Sequence, residues 1–173
     1  SHSFHYLEWL FGHVTSVSAS LFRAPDDPRP GETGALIALT MESGMTVAIT
    51  ANAYSFGGEG HHLTVYGDEG KMTLGNPSAD YVKNFTLSVR KRTDDGAQWL
   101  PVSDAIDDYE GDGRIVAVGR LASRFLDGLA ADGPPPGPGL EDGLRVQILL
   151  DAVFRSHETG CRIDILVPGN GPA

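Results

Sequence analysis

The chain has 173 residues, of which 40% are hydrophobic and 21% are charged, and its formal net charge is −10. This composition is typical of one globular domain with a sizeable core, and the negative charge disfavours nucleic acid because the phosphates would be repelled. No apolar run approaches the roughly 20 residues that a membrane-spanning helix needs. We therefore expect no nucleic-acid or membrane partner, and the single Cys161 is compatible with a cytoplasmic location.

The first residues predict an amphipathic helix that ends at a glycine. Phe4, Leu7 and Phe11 recur at helical spacing, and Gly12 follows them as a stop signal. The residues before this run do not form a capping box. A helix with a clear end and no clear start leads us to expect that its beginning lies before Ser1.

Alternating patterns predict a series of strands after this helix. In VTSVSASLF, the apolar residues Val17, Ala19 and Leu21 alternate with serines, and ALIALTMESGMTVAITANAY predicts a hairpin with Ser43-Gly44 at its turn. Further strand candidates are HLTVYG, KMTLG, FTLSVRK and RIDILV. Because nearly every strand is apolar on one side only, we predict an α+β fold with a largely antiparallel open sheet and helices covering one face.

The other face of this sheet is rich in Ser, Thr and Ala and poor in charge. Its members are Ser16, Ser18, Thr46, Ala48, Thr50 and Asn52. Such a flat, weakly charged surface is either solvated or receives a second sheet. We expect the chain to self-associate through it.

Two longer helices are predicted in the second half of the chain. Apolar residues at a 3.6-residue period mark the first, from Ile115 to Leu129. The second runs from about Leu140 to Thr159, and Gly160 follows as its C-cap.

The remaining segments are predicted to be connectors. The acidic stretch from 93 to 113 is predicted to be a loop or a partly ordered insertion, and DGPPPGPG over 132–139 is predicted to be a rigid linker. We expect one domain over 1–167 and a flexible tail over 168–173.

Three segments together carry a resemblance to a known family. They are SHSFHYLEWLFG at the start, VYGDEGKMTL in the middle and LEDGLRVQILLDAVFRSHETGCRIDI near the end. In this order they resemble the C-terminal domain of the glucose–fructose oxidoreductase / inositol dehydrogenase (Gfo/Idh/MocA) family over nearly the whole chain. Members of that family also have an N-terminal Rossmann domain with a Gly-rich dinucleotide loop and a Glu-Lys-Pro motif. This sequence has neither motif, so we expect the Rossmann domain to be absent from it.

The resemblance implies hydride transfer between a secondary alcohol, on a sugar, polyol or cyclitol, and NAD or NADP. The cofactor would be bound mainly by the absent domain, which also supplies a catalytic lysine. We expect no cofactor to bind to this chain alone. His2 falls on the histidine of the family's Asp-x-x-x-His motif, where it would hydrogen-bond the reacting hydroxyl and help to relay its proton. The alternatives for His2 are an exposed chain end or a tag remnant.

Four other side chains are candidates for contact with the substrate. His5 stands one helical turn after His2, where members of the family often carry aspartate; a metal held by the two imidazoles lacks a convincing third ligand, so we expect no metal site. Asn52, Tyr54 and His61 belong to NAYSFGGEGHH, a region that approaches the substrate in enzymes of the family. An ordinary connecting loop is the alternative interpretation of this segment.

The resemblance also implies a homo-oligomer, because the corresponding sheet face commonly builds dimers and tetramers in the family. The leading hypothesis is therefore the substrate-binding and oligomerisation domain of an oxidoreductase, inactive by itself. One competing hypothesis is a stand-alone, non-catalytic module of the same fold that binds a ligand or mediates assembly. Another is a scaffold that carries unrelated chemistry on the same fold.

Overall fold

The computed structural model describes residues 1–58, 60–76, 82–93, 98–100, 106, 108–131 and 137–166. The described residues form two compact units, one from residues 1–56 and the chain from 137 onward, the other from residues within 57–136. Their helices and strands are, in order, α1 His2–Phe11, β1 Val14–Phe22, β2 Gly34–Met41, β3 Thr46–Asn52, β4 His61–Gly67, β5 Gly70–Asn76, β6 Thr86–Lys91, β7 Gln98–Leu100, α2 Gly113–Ala130, α3 Leu140–Thr159 and β8 Ile163–Asp164.

The first unit contains an antiparallel sheet with the strand order β3-β2-β1-β8. The predicted hairpin joins β2 to β3, and Gly44 at its turn has a φ of 84°, which a glycine adopts without steric cost. The second unit contains another antiparallel sheet, in the order β4-β5-β6-β7. The α+β class and the antiparallel pairing predicted from the sequence are confirmed, with the strands divided between two sheets.

The core of the first unit lies between α3 and the sheet. Val14 and Val17 of β1, Leu39 of β2 and Leu149 and Val153 of α3 are all buried. Helix α3 has the predicted bounds and ends at Gly160 in the left-handed conformation.

Polar groups on α3 also bond the strand that the helix covers. Ser156 Oγ accepts from Ala19 N at 2.9 Å and donates to Cys161 O at 2.7 Å. This hydroxyl satisfies a backbone group of β1 beyond the short partner strand β8, which pairs only with Ser16 and Val17.

The outward face of this sheet follows the predicted alternation, with one correction and one addition. Ala48 lies between exposed neighbours at the middle of the face, in register with Ala38 of β2, which is paired in turn with Ser18 of β1. Ser16, expected on this exposed face, is only 2% exposed, because β2 and β8 flank that part of β1 on both sides. Leu36 adds an apolar side chain, 57% exposed, to the otherwise small residues of the face.

The second unit adds a short strand and an exposed helix face. The segment from 93 to 113, expected to be a loop or a partly ordered insertion, contains β7, which pairs with β6. In α2, the periodic apolar residues are exposed, including Ile115, Val118, Phe125 and Leu129. Most of the predicted linker, residues 132–136, and the predicted tail over 168–173 lie outside the described residues.

None of the described helices combines the length and the apolar character needed to cross a bilayer.

Candidate functional site

Helix α1 carries the two histidines that the sequence singles out. Phe4 and Leu7 are buried, and they fix which side of the helix faces the protein. His2, in the first turn, is exposed, and His5, one turn later, is half-buried. The helix stops at Gly12, whose φ of 86° turns the chain away from the helix axis.

A buried ion pair joins α1 to α3. The Arg145 side chain on α3 is 9% exposed and the Glu8 side chain on α1 is 10% exposed. Arg145 Nε lies 3.0 Å from Glu8 Oε1 and 3.1 Å from Glu8 Oε2, and Arg145 Nη2 lies 2.9 Å from Oε1. Such charge-assisted contacts offset the cost of removing both charges from water.

The same two side chains also satisfy backbone groups of other segments. Arg145 Nη2 donates to Val14 O at 2.6 Å, and Nη1 donates to Leu166 O at 2.9 Å. Glu8 Oε1 accepts from Val14 N at 2.8 Å. The pair therefore ties α1, α3, the start of β1 and the segment after β8 to one point.

A cavity of about 310 Å³ opens beside this ion pair, within the first unit. Its lining combines carboxylates, imidazoles, one guanidinium and an exposed indole: His5, Glu8, Trp9, His13, Glu141, Asp142, Arg145 and Val146. His13 Nδ1 lies 3.7 Å from Glu8 Oε1. These groups offer both donors and acceptors to hydroxyl groups, and His5 is the predicted substrate residue among them.

Asn52 and Tyr54 lie at the turn that follows β3. Asn52 Oδ1 accepts from Tyr54 N and from Ser55 N, both at 2.8 Å, so the amide oxygen shapes the turn. The Tyr54 side chain is exposed.

A buried carboxylate holds the neighbouring Pro-rich loop in place. Asp27 accepts from Arg29 N at 2.9 Å and from Arg29 Nε at 2.8 Å, and Arg29 Nη2 lies 3.4 Å from Ala53 O, beside the Asn52 turn. Hydrogen bonds from the Arg29 side chain and backbone lower the pKa of Asp27 from 3.8 to about 2.

His61 is the first residue of β4 and belongs to the second unit. It is half-buried, and its ring meets that of Phe85 edge to face, with centroids 6.1 Å apart.

Carboxylates occupy the start of both longer helices, where dinucleotide phosphates commonly bind. Glu141 and Asp142 lie in the first turn of α3, and Asp142 Oδ2 accepts from Gly139 N at 2.6 Å. Asp112 caps α2 and accepts from Arg114 N at 3.0 Å, and the hydrogen bonds from Arg114 lower the pKa of Asp112 to about 2. Glu141 and Asp142 would repel a pyrophosphate at α3, and at α2 Asp112, paired with Arg114, already occupies the Arg114 amide, so neither helix end fits NAD or NADP.

The described side chains include no group of three that could hold a metal ion.

Glu8, Trp9 and Arg145 were not predicted from the sequence. A signal for Arg145 was present, because it lies four residues before Leu149, on the face of α3 that also carries Val153. A charged residue at a core-facing helical position needs a buried partner of opposite charge. The sequence does not identify that partner, because Glu8 is 137 residues away.

The fold on which these side chains are placed is the C-terminal α/β domain of an oxidoreductase family. The family model described as "Oxidoreductase family, C-terminal alpha/beta domain" matches residues 1–165. The chain belongs to the Gfo/Idh/MocA oxidoreductase family, and the resemblance read from the sequence is confirmed.

One relative is an uncharacterised oxidoreductase from Synechocystis sp., 31% identical, with 91% of this chain and 46% of the relative covered. An oxidoreductase from Agrobacterium radiobacter, solved with NAD⁺, L-tartaric acid and magnesium, is similar in fold at a TM-score of 0.75 and 20% identity, over 94% of this chain and 46% of that one. A levoglucosan dehydrogenase solved with NADH and levoglucosan is also similar in fold. Its TM-score is 0.73 and its identity 18%, over 94% of this chain and 48% of that one. The chain spans about half the length of these proteins.

Proposed function

We propose that the domain over residues 1–167 is the substrate-binding and oligomerisation domain of an NAD(P)-dependent oxidoreductase. Its substrate is a sugar, a cyclitol or a related secondary alcohol, and the nicotinamide cofactor is held by another part of the protein. The family membership supports an oxidoreductase. The similarity in fold to a levoglucosan dehydrogenase supports a sugar-like substrate by analogy.

The observation that carries this proposal is the placement of His2 and His5 on successive turns of α1, with His5 lining the cavity. In the proposed reaction, His2 hydrogen-bonds the reacting hydroxyl and helps to move its proton, a task that suits imidazole because its pKa lies near neutrality. His5 holds a neighbouring hydroxyl. The cavity's mixture of carboxylates and imidazoles suits neutral, hydroxyl-rich molecules.

The other candidate contacts enter the proposal with different support. The Asn52 oxygen already serves its own turn, so Asn52 would bind the substrate through its amide nitrogen. Tyr54 is exposed beside it and offers a phenolic hydroxyl. His61 stays a prediction from the family resemblance.

Self-association is the second part of the proposal. The outward sheet face around Ala48 is low and nearly uncharged, and exposed Leu36 supplies apolar area for a partner to cover. A second copy with the same face can approach to about 10 Å, the usual spacing of packed sheets. The expected product is a homo-oligomer.

The activity is tested by assaying the full-length protein with NAD⁺ and with NADP⁺ against a panel of aldoses, polyols, cyclitols and anhydrosugars. We expect nicotinamide reduction with at least one neutral member of the panel. A folded full-length protein that turns over none of them with either cofactor would contradict the proposal and favour a non-catalytic binding module.

A further inference from the structure

We infer that the Glu8–Arg145 ion pair is a positioning device that fixes α1, and with it His2 and His5, relative to the rest of the first unit. That the pair fixes α1 is inferred from the contacts of the two side chains. The effect of this fixing on catalysis rests on the function proposed above.

The pair joins α1 to three other segments of the first unit, namely α3, the start of β1 and the segment after β8. Glu8 lies on the helix itself and accepts from Val14 N, the first residue of β1. Arg145 bonds Val14 O and Leu166 O in addition to the carboxylate. The helix, the strand that follows it and the segment after β8 are therefore held by one guanidinium.

The position of Glu8 along the helix makes it a good anchor for the histidines. His5 lies three residues before it, on the same face, and His2 lies six residues before it, about 9 Å along the helix axis. Contacts made by α1, including buried Phe4 in the first turn and Glu8 about one turn later, therefore set where both histidines lie.

Apolar packing alone would place the helix less specifically. Phe4 and Leu7 supply buried area, but the hydrophobic effect is non-directional and tolerates small rotations and slides. Several short hydrogen bonds from a planar guanidinium fix both the rotation and the depth of α1. Reactive groups must be held to within a fraction of an ångström for efficient chemistry, and this constraint gives the buried charge pair a function beyond stability.

The test compares Glu8→Gln with Asp151→Asn. The glutamine side chain keeps an acceptor for Val14 N but loses the charge. Asp151 belongs to an exposed pair with Arg155 on α3, at 3.7 Å, and supplies a matched loss of charge where little constraint is expected. Amide hydrogen exchange of α1 and of α3 is measured in the chain, and kcat and KM are measured in the full-length protein.

We expect Glu8→Gln to lower the exchange protection of α1 by about tenfold or more, and by a larger factor than it lowers that of α3. In the enzyme, kcat should fall by about tenfold or more with KM within about threefold, since misplacement affects the reacting geometry more than overall binding. Asp151→Asn should change neither property.

Two results would overturn the inference, and a third would overturn only the proposed function. Unchanged protection of α1 in Glu8→Gln would overturn the inference, and so would a loosened α1 with wild-type kcat. If the unmodified full-length protein turns over no substrate, the proposed function fails, while the exchange measurement still decides whether the pair positions α1.

Arg145→Lys provides a second variant, used also if Glu8→Gln does not fold. Lysine keeps the positive charge but loses the fork that reaches Glu8, Val14 and Leu166 together. We expect an α1 protection between those of the wild type and Glu8→Gln. Wild-type protection in this variant would show that charge alone suffices and would contradict the role of the fork.

Discussion

Asp27 and Arg145 show how single charged residues organise the first unit. Asp27 is 5% exposed and Arg145 is 8% exposed, and each is surrounded by groups of opposite charge or by backbone partners. Burying an ionised group without such partners is costly. In both cases the charge ties together segments that are distant from one another or irregular: a Pro-rich loop around Asp27, and four separate segments around Arg145.

The pKa of Asp27 leads to a prediction of pH-dependent stability. Because this pKa falls from 3.8 to about 2 on folding, the ionised carboxylate stabilises the folded state at pH values above 3.8. That contribution is lost as the pH falls through about 2. Asp27→Asn should therefore unfold at lower urea concentration than the wild type at pH 7, and the difference should shrink between pH 4 and pH 2.

Asp26→Asn is the matched control, since Asp26 is the exposed neighbouring carboxylate. Its urea midpoint should follow the wild type at every pH. An Asp27→Asn difference that stays constant down to pH 2 would contradict the assignment.

Among the helices and strands, α3 offers two glycines whose replacement by alanine should change the free energy of unfolding in opposite directions. Gly160 ends the helix at a φ of 66°, and Gly143 lies inside it; a Cβ at either position meets no described atom within 4 Å. Gly160→Ala should lower the free energy of unfolding by about 1–2 kcal/mol, the cost of a left-handed non-glycine residue. Gly143→Ala should raise it by about 0.5–1 kcal/mol, the usual gain in a helix.

Chemical denaturation of the two variants and the wild type measures both changes. If both glycines gave the same sign, the conformational explanation would be wrong for one of them.

The elements that the sequence predicts best are those with local signals. Helix α3 has a clear period and a terminal glycine, and the β2–β3 hairpin has alternation on both sides of Gly44. The strand β7 is only three residues long, too short to show alternation, and it exists through its pairing with β6. Ser16 is buried because two strands flank it. The alternation of serines in β1 does not indicate which of its residues have a strand on both sides.

For the site, the sequence supplied the histidines and the structure supplied their support. His2 and His5 were identified by resemblance to a family motif, not by a local physical signal. The link between Glu8 and Arg145 spans 137 residues, so periodicity in either helix cannot reveal it. Long-range contacts of this kind become visible only when the chain is folded.

At the scale of the whole molecule, the outward sheet face predicts an assembly that one charge disrupts. In a two-fold contact, Ala48 would meet a partner patch of the same composition. Ala48→Glu would bury a carboxylate near its own copy and should yield monomers, while the circular dichroism spectrum stays unchanged. Sedimentation velocity of the chain at tens of micromolar measures the assembly.

Ala117→Glu on exposed α2 is the control for the same substitution elsewhere, and it should sediment like the wild type. A monomeric wild-type chain, or an Ala48→Glu variant that remains assembled, would contradict the sheet-face interface.

The division of labour proposed for the molecule predicts that this chain binds no dinucleotide by itself. At α3 the first turn carries Glu141 and Asp142, and at α2 the N-cap Asp112 already accepts from the Arg114 amide, so neither helix start favours a pyrophosphate. Titration calorimetry with NADH and with NADPH should show no binding to the chain and clear binding to the full-length protein. Micromolar binding of NADH or NADPH to the chain alone would contradict this prediction.

The kcat of His2→Ala in the full-length protein tests most directly whether His2 moves the proton of the reacting hydroxyl. Loss of a positioned proton-transfer group typically lowers the rate by about 10²–10⁴-fold, and His2 is exposed, so folding should be unaffected. His62→Ala, on the exposed side of β4, should retain nearly the wild-type kcat. We expect a large loss of kcat for His2→Ala alone, and a wild-type kcat in that variant would contradict a catalytic role for His2.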